Sequence, residues 1–354
     1  MHRVCCCRGW RGIAACIIAI ATICIFEAMK VYPADSWQLE SVAKYWPFLS
    51  VFHLGSFISC AEFSPNGQFL VLCDTGKDAV YIVETRRWNV IRTIDNVPKP
   101  YELSFTANGR ELAVGTMDGV LIVRAVDWTL ERKIGRTGDE RYVVLPNGEV
   151  IAFFARSPAT KSWNTMEVVT KSGSNEVSIR GRWDFDGAVA VSRDGSYLAV
   201  GDDQYVKVVD TTTWKVAHTI SLRSHGFRGM VNDISFSPDG KLVAFSNDNH
   251  SPALIYAAPD WRSYSAFSNG LPGFDRIVFC SNSKWAYTFS VSSGIGLWNV
   301  RQGRLVGTWH RNGQYSAGLW DGAVSPDGAH LVILNEVGQA EVWRLPAGSG
   351  ARFR

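Results

Sequence analysis

Five charged residues recur at one register of a repeated strand: Glu102, Arg141, Asp233, Arg276 and Asp321, with Cys60 and Ala188 at two equivalent uncharged places. Each stands three residues before the last apolar residue of its strand, and the sign alternates from one charged copy to the next. Carboxylates and guanidiniums in alternation can do one of two things. They can neutralise one another in pairs where water is scarce, because an unpaired buried charge is costly. Alternatively, they can line a polar opening that takes a small ligand. A catalytic reading needs convergent acids, histidines or nucleophiles. The sequence has no Gly-x-Ser-x-Gly elbow, no His-Glu-x-x-His and no phosphate-cradling glycine loop. Its histidines are scattered: His53 and His330 fall in strands, His225 and His250 in loops. Asn247-Asp248-Asn249-His250 has too few carboxylates for a calcium loop and reads as a polar hairpin turn. No paired C-x-x-C occurs, so neither a metal nor a cofactor is expected. Cys60 and Cys73 flank one hairpin and could pair in an oxidising compartment.

The strands that must position these charges belong to a repeat. A turn signal reads Phe63-Ser64-Pro65-Asn66-Gly67, Phe105-Thr106-Ala107-Asn108-Gly109, Leu145-Pro146-Asn147-Gly148 and Val191-Ser192-Arg193-Asp194-Gly195. It continues as Phe236-Ser237-Pro238-Asp239-Gly240, a degenerate Phe279-Cys280-Ser281-Asn282-Ser283, and Val324-Ser325-Pro326-Asp327-Gly328. The closing Gly, or its Ser substitute, recurs at spacings of 42, 39, 47, 45, 43 and 45. That period is the period of a four-stranded propeller blade. Each turn joins a strand ending in a large apolar residue to a second strand, such as Phe69 to Cys73 or Leu242 to Ser246. A third strand follows, then a polar turn in which Trp88, Trp128, Trp214 and Trp261 stand at matching places as blade-packing residues.

The stretch Gly296-Leu297-Trp298-Asn299-Val300-Arg301-Gln302-Gly303-Arg304-Leu305-Val306 resembles the closing half of a WD repeat, with Asn299 where Asp is usual. Tyr205 to Ile220, with Val209-Asp210-Thr211-Thr212-Thr213, is similar to YVTN-type propeller repeats. The expected fold is all-β: a seven-bladed β-propeller closed by an N-terminal strand and preceded by one N-terminal transmembrane signal-anchor helix. The last copy runs out of chain after Val342 to Leu345, so the apolar strand Phe48 to Leu54 should fill its vacant outer position and leave no open edge. The first strand of each blade is innermost, which puts the charged register at the central channel. There the two readings are a ring of inter-blade ion pairs or a polar channel mouth.

Ahead of the propeller, Arg3, Arg8 and Arg11 precede an uncharged run from Gly12 to Phe26. Such a run describes a cleaved secretory signal or a short membrane anchor. No small-x-small pair follows it, which favours the anchor, and the lipoprotein-like Ile13-Ala14-Ala15-Cys16 precedes most of the run rather than following it. The resulting division is a cytoplasmic stub (1–11), anchor (12–29), linker (30–47), propeller (48–346) and tail (347–354). The arginines place the propeller on the non-cytoplasmic side, periplasmic in a bacterium, or secreted if the signal is cleaved.

With 36 Lys and Arg against 33 Asp and Glu, a net charge of +3 excludes a nucleic-acid grip. Aromatic and arginine residues cluster in the loops between blades, all on one face: Tyr101, Trp183, Phe185, Arg223, Phe227, Arg228, Phe274, Arg311, Tyr315 and Trp320. These types dominate binding hot spots. The function expected is a non-enzymatic scaffold for a protein partner. The alternative is a propeller oxidoreductase or hydrolase with its site at the channel mouth. Channel charges paired with one another favour the scaffold; unpaired charges converging on a pocket favour the enzyme.

Overall fold

In a computed structural model, the residues described are 29–30, 48–53, 57–134, 141–145, 150–156, 163–170, 173–183, 188–201, 205–247, 251–268, 273–290, 294–311, 319–335 and 338–345. The repeated turns form where the sequence signal lies. In each of the six described turns, the last residue donates its N–H to the carbonyl three residues back, as in Gly67 to Ser64 and Gly240 to Ser237, both 2.8 Å. The Asn or Asp before the Gly is bonded by the turn's hydroxyl, Ser64 Oγ to Asn66 Oδ1 at 2.7 Å and Ser237 Oγ to Asp239 Oδ1 at 2.6 Å. The Gly then takes a left-handed φ of 69° at Gly67 and 70° at Gly240. Ser283 of the degenerate copy adopts the same conformation, at φ 56°, and its turn closes with the same bond.

The strands form sheets of up-and-down antiparallel neighbours, each beginning with the strand ahead of the turn. The first spans 58–95, the second 102–134, the third 141–183, the fourth 189–221, the fifth 233–267 and the sixth 276–311. The last contains Leu319–Val324, His330–Asn335 and Gln339–Arg344, with Phe48–His53 as its outer strand. Ser50 pairs with Val342 and Phe52 with Ala340, so the start of the chain completes the sheet made by its end. The leading strands touch in sequence order, and Leu319–Val324 touches Ile58–Phe63, which closes a ring.

Apolar cores fill the gaps between neighbouring sheets rather than one central space. Leu70, Leu72 and Val83 of the first sheet pack with Val332, Leu334 and Val342 of the last, all fully buried. Val208 and Ile220 pack likewise with Val243 and Phe245. The turn tryptophans are clips between blades. Trp88, Trp128, Trp214 and Trp261 all have left-handed φ between 53° and 57°, which turns their indoles back over the preceding sheet. Trp128 meets Phe69 edge-on at 5.1 Å, Trp261 meets Tyr197 at 5.2 Å and Trp88 meets His330 at 5.0 Å. Gly303 occupies this place in the sixth sheet, where a Cβ would collide with the Ala266 carbonyl oxygen, so no clip fits.

The outer strands share an irregularity. In each of Asn89–Asp95, Thr129–Ile134, Lys215–Ser221, Arg262–Phe267 and Arg304–Arg311, the register skips the third residue: Ile91, Glu131, Ala217, Tyr264 and Val306. Phe48–His53 skips Leu49 in the same way. These are β-bulges, which increase local twist.

The expected architecture needs correction. Six of the sheets are described to the level of side chains, and the one at 141–183 chiefly by its backbone. The sixth sheet is not four-stranded, because Met29–Lys30 adds a fifth strand by pairing with His310 and Arg311. That strand also overturns the anchor over 12–29: Met29 is extended rather than helical, and among the described residues no helix is long and apolar enough to cross a membrane. Residues 1–28 lie outside the described residues.

Candidate functional site

The axial site is built on the leading strands. Side chains alternate along a strand, so the register three residues before its end and the register one before its end share a face. The first register places Cys60, Glu102, Arg141, Ala188, Asp233, Arg276 and Asp321. Their cross-strand partners include Cys73, Gly115, Ser246 and Phe289. The second register adds Glu62, the only charged residue there in any sheet.

Arg276 forms an ion pair with Asp321 of the neighbouring sheet. Asp321 is buried and its Oδ1 also accepts the Gly322 N–H at 2.6 Å. Asp233, on the other side of Arg276, accepts the Ile277 N–H through Oδ2 at 2.8 Å. Glu62 accepts the Phe105 N–H at 3.3 Å. Glu62 and Asp233 thus bond the backbone of the following sheet, and Asp321 pairs with the cation of the preceding one. Arg276 keeps 38% of its side chain exposed against 9% for Asp321.

The electrostatics follow from crowding. Burial pushes the Asp321 carboxyl up to about 6 despite the attraction of Arg276. Burial also raises Asp233, again against the pull of Arg276. Glu62 is pushed up to about 7, chiefly by burial; the Phe105 N–H and Arg276 oppose this, and Glu102 and Asp321 add to it. Burial acts against the charge on Arg276, but Asp321, Asp233 and Glu62 together outweigh it and hold the guanidinium charged. Of the remaining ring members, Glu102 is half-buried against Gly115, and the Arg141 side chain lies outside the described residues. Glu62 escaped the sequence alignment, which compared one register only. The signal available was strand alternation, which puts it on the face that carries Cys60.

Cys60 and Cys73 face each other across the hairpin as free, buried thiols. Burial, then the hydrogen bond with Cys60, raises the Cys73 thiol well above its usual range. Burial pushes Cys280 up to about 12. A thiolate is the reactive form. In the native chain, alkylation with iodoacetamide at pH 8 should therefore leave Cys73 and Cys280 unmodified over an hour, and denaturant should expose both. Peptide mass mapping reads the result; native labelling of Cys73 would contradict it.

The loop face is partly corrected. Phe227 and Phe274 are 2% exposed and belong to inter-sheet cores, Phe274 edge-on to Trp298 at 5.7 Å. An aromatic beside a blade junction is taken into the apolar gap rather than offered to a partner. Tyr101 is half-buried against Ile134 and Val144. Phe185 and Tyr315 lie outside the described residues, and so do the side chains of Trp183, Arg311 and Trp320. Arg223 and Arg228 are exposed; Arg223 opens the short 3-10 turn Arg223–His225 and Arg228 follows it. Their loop is held firmly: the Asn247 amide and the Ser251 hydroxyl both donate to the Arg228 carbonyl, and Ser251 Oγ accepts the Arg228 N–H at 2.8 Å. Asn247 is thus a buried strut. Tyr256 Oη meets His225 Nδ1 at 3.2 Å under the same loop. Among the described residues, no group of three or more His, Cys, Asp or Glu could hold a metal ion.

With this geometry in hand, the comparisons are specific about fold. The sequence family described as "WD domain, G-beta repeat" matches residues 215–250. That segment runs from the outer strand of the fourth sheet through the exposed loop into the fifth sheet. No curated protein sequence matches the chain. Among solved structures, the β-propeller domain of Myceliophteria thermophila Cps50 (Swd1) is similar, with a TM-score of 0.69 and 14% identity, covering 85% of this chain and 99% of that one.

Proposed function

We propose that this propeller is a non-enzymatic scaffold that offers its inter-blade loop face to a protein partner. The carrying observation is the basic, rigidly held loop of Arg223, His225 and Arg228, which is exposed over a buried polar strut. Its charge suits an acidic surface on the partner, and exposed arginines held in place lose less entropy on binding. A WD-repeat match over this loop and the general use of propellers as binding discs support the reading by analogy of fold. At the axis Arg276 pairs with Asp321 and Asp233 accepts the Ile277 N–H, contacts between sheets that support a structural role for these charges. We place the propeller on the non-cytoplasmic side. Support comes from Arg3, Arg8 and Arg11 ahead of the uncharged run Gly12 to Phe26, which suit a cleaved secretory signal. A reporter fused after Arg354 that is active only in the cytoplasm should stay silent.

The test is affinity capture of the full chain and of an Arg223→Glu/Arg228→Glu variant. The variant should melt within about 1 °C of the parent, because surface substitutions change stability little. It should lose at least about tenfold of the partner that the parent recovers, in line with two truncated hot spots. Equal recovery by a folded variant would remove this loop from the interface.

A further inference from the structure

Across the leading hairpin of the first sheet, Cys60 stands directly opposite Cys73. The ladder between them and the turn runs without a shift, through Ala61 with Leu72, Glu62 with Val71 and Phe63 with Leu70, so the turn fixes their pairing. Opposite residues of an antiparallel ladder point their side chains to one face. Their Cα atoms are about 4.5–5.5 Å apart, inside the roughly 4.4–6.8 Å that a disulfide bridges. The two thiols are already joined by a hydrogen bond. Both lie in the apolar core between the first and second sheets, Cys60 at 6% exposed and Cys73 fully buried. At the same register other sheets hold Glu102 opposite Gly115, Asp233 opposite Ser246 and Arg276 opposite Phe289. The paired thiols are therefore a feature of the first sheet and not of the repeat. Cys280 belongs to the core between the sixth and last sheets and competes for neither.

We propose that Cys60 and Cys73 are joined by a disulfide made while the chain folds, a covalent staple across the hairpin on which the ring closes. The inference rests on the non-cytoplasmic placement proposed above, because an oxidising compartment must supply the acceptor for the electrons. That acceptor is another disulfide, of a small molecule such as oxidised glutathione or of a thiol oxidoreductase. One cysteine thiolate attacks it, forming a mixed disulfide and releasing the first donor sulfur. The other cysteine then displaces the second donor sulfur and closes the Cys60–Cys73 S–S bond. Two electrons pass to the donor, which ends as two thiols carrying the two protons that the cysteines lose. Burial sets the timing. In the closed ring Cys73 is out of reach of an oxidant, and burial and the Cys60 hydrogen bond keep its thiol protonated. The exchange thus belongs to the open hairpin, whose turn brings the two sulfurs together before the second sheet covers them. Once covered, the bond is equally sheltered from reductants. It braces the strand Ile58–Phe63, which meets Leu319–Val324 where the ring closes.

The test reads tryptic peptide 45–77, which holds these two cysteines and no others. The full chain, unfolded and reduced, is refolded with excess oxidised glutathione, and in parallel the full chain is taken directly from the cells that express it. Both are acid-quenched, then alkylated with N-ethylmaleimide in denaturant. The peptide should carry no label and weigh two hydrogens less than the dithiol. Cleavage after Glu62 should leave its halves joined until a reductant is added. The same oxidant given to the reduced, folded chain should leave both thiols free over an hour; the labelling expected above for Cys73 is that of this dithiol form. The stapled chain should unfold with an equilibrium constant about a hundredfold smaller than the dithiol chain, the gain for a loop of this length, and Cys73→Ala should show no such difference. Free or glutathione-capped thiols after oxidative refolding would overturn the staple, and so would equal stability of the stapled and dithiol chains. A staple formed on refolding but absent from cells would count against the non-cytoplasmic placement and leave the pairing standing.

Discussion

A chain lacking residues 1–56 should melt about 10 °C or more below a chain lacking residues 1–40. The first truncation removes Phe48–His53 and leaves Gln339–Arg344 as an unpaired edge; the second keeps this pairing and loses only Met29–Lys30 from the sixth sheet. Phe52 is 7% exposed, set among Val332, Leu334, Ala340 and Val342 of its own sheet and Phe63 of the first. Losing that ring alone compares with a buried Phe→Ala, about 3–5 kcal/mol. The strand's ladder hydrogen bonds go with it, and at roughly 2–4 °C per kcal/mol the combined loss passes 10 °C. Differential scanning calorimetry of the two truncated chains makes the comparison; equal midpoints would show that the ring does not depend on this strand.

Arg276→Ala should be the most destabilising single substitution among the five charged residues of the ring, by about 2–3 kcal/mol. The size lies between two limits: removing one partner of a buried pair costs about 3–5 kcal/mol, and an exposed pair contributes roughly 0–1. Asp321 belongs to the first limit at 9% exposed, and the half-wet guanidinium at 38% to neither. The substitution leaves Asp321 and Asp233 facing each other's charge with no cation between them, and Glu62 keeps only the Phe105 N–H. Combining Arg276→Met with Asp233→Asn and Asp321→Asn should restore most of the loss, because neither aspartate is left charged and both amides can still accept the Gly322 and Ile277 N–H groups. Urea unfolding at pH 7.5 measures both. A single variant within about 0.5 kcal/mol of the parent would mean that Arg276 is solvated rather than needed.

How much of this was legible in the sequence varied with the kind of signal. The turns could be read because each depends on local chemistry: a hydroxyl, then an Asn or Asp, then a residue at positive φ, as at Ser237, Asp239 and Gly240. Closure could be read from a counting mismatch, since the last copy lacked a fourth strand and Phe48 onwards was an unassigned one. The charged register could be read because the repeat aligned it. What local chemistry cannot show is depth. Phe227 and Phe274 look like loop aromatics, and only the neighbouring sheet decides that they are core. Glu62 was hidden for the opposite reason: it breaks the repeat, and alignment searches for what repeats. The uncharged run after Arg11 suggested a helix through 29, yet Met29 is drawn into a strand by the free edge of Arg304–Arg311.

The skipped residue in every bulged outer strand has a consequence for crowding. A propeller presents a strand edge at the rim of each blade, and a straight edge is a template on which another copy of the chain could continue the sheet. Placing Ile91, Glu131, Ala217 and Tyr264 out of register interrupts the donor–acceptor spacing that such growth requires. Several of these rims also expose apolar side chains, Ile91 at 46% and Tyr264 at 43%, which would otherwise favour edge-to-edge polymerisation. The bulges therefore let many copies stand side by side at high local concentration, each keeping its loop face available, without fusing into fibres.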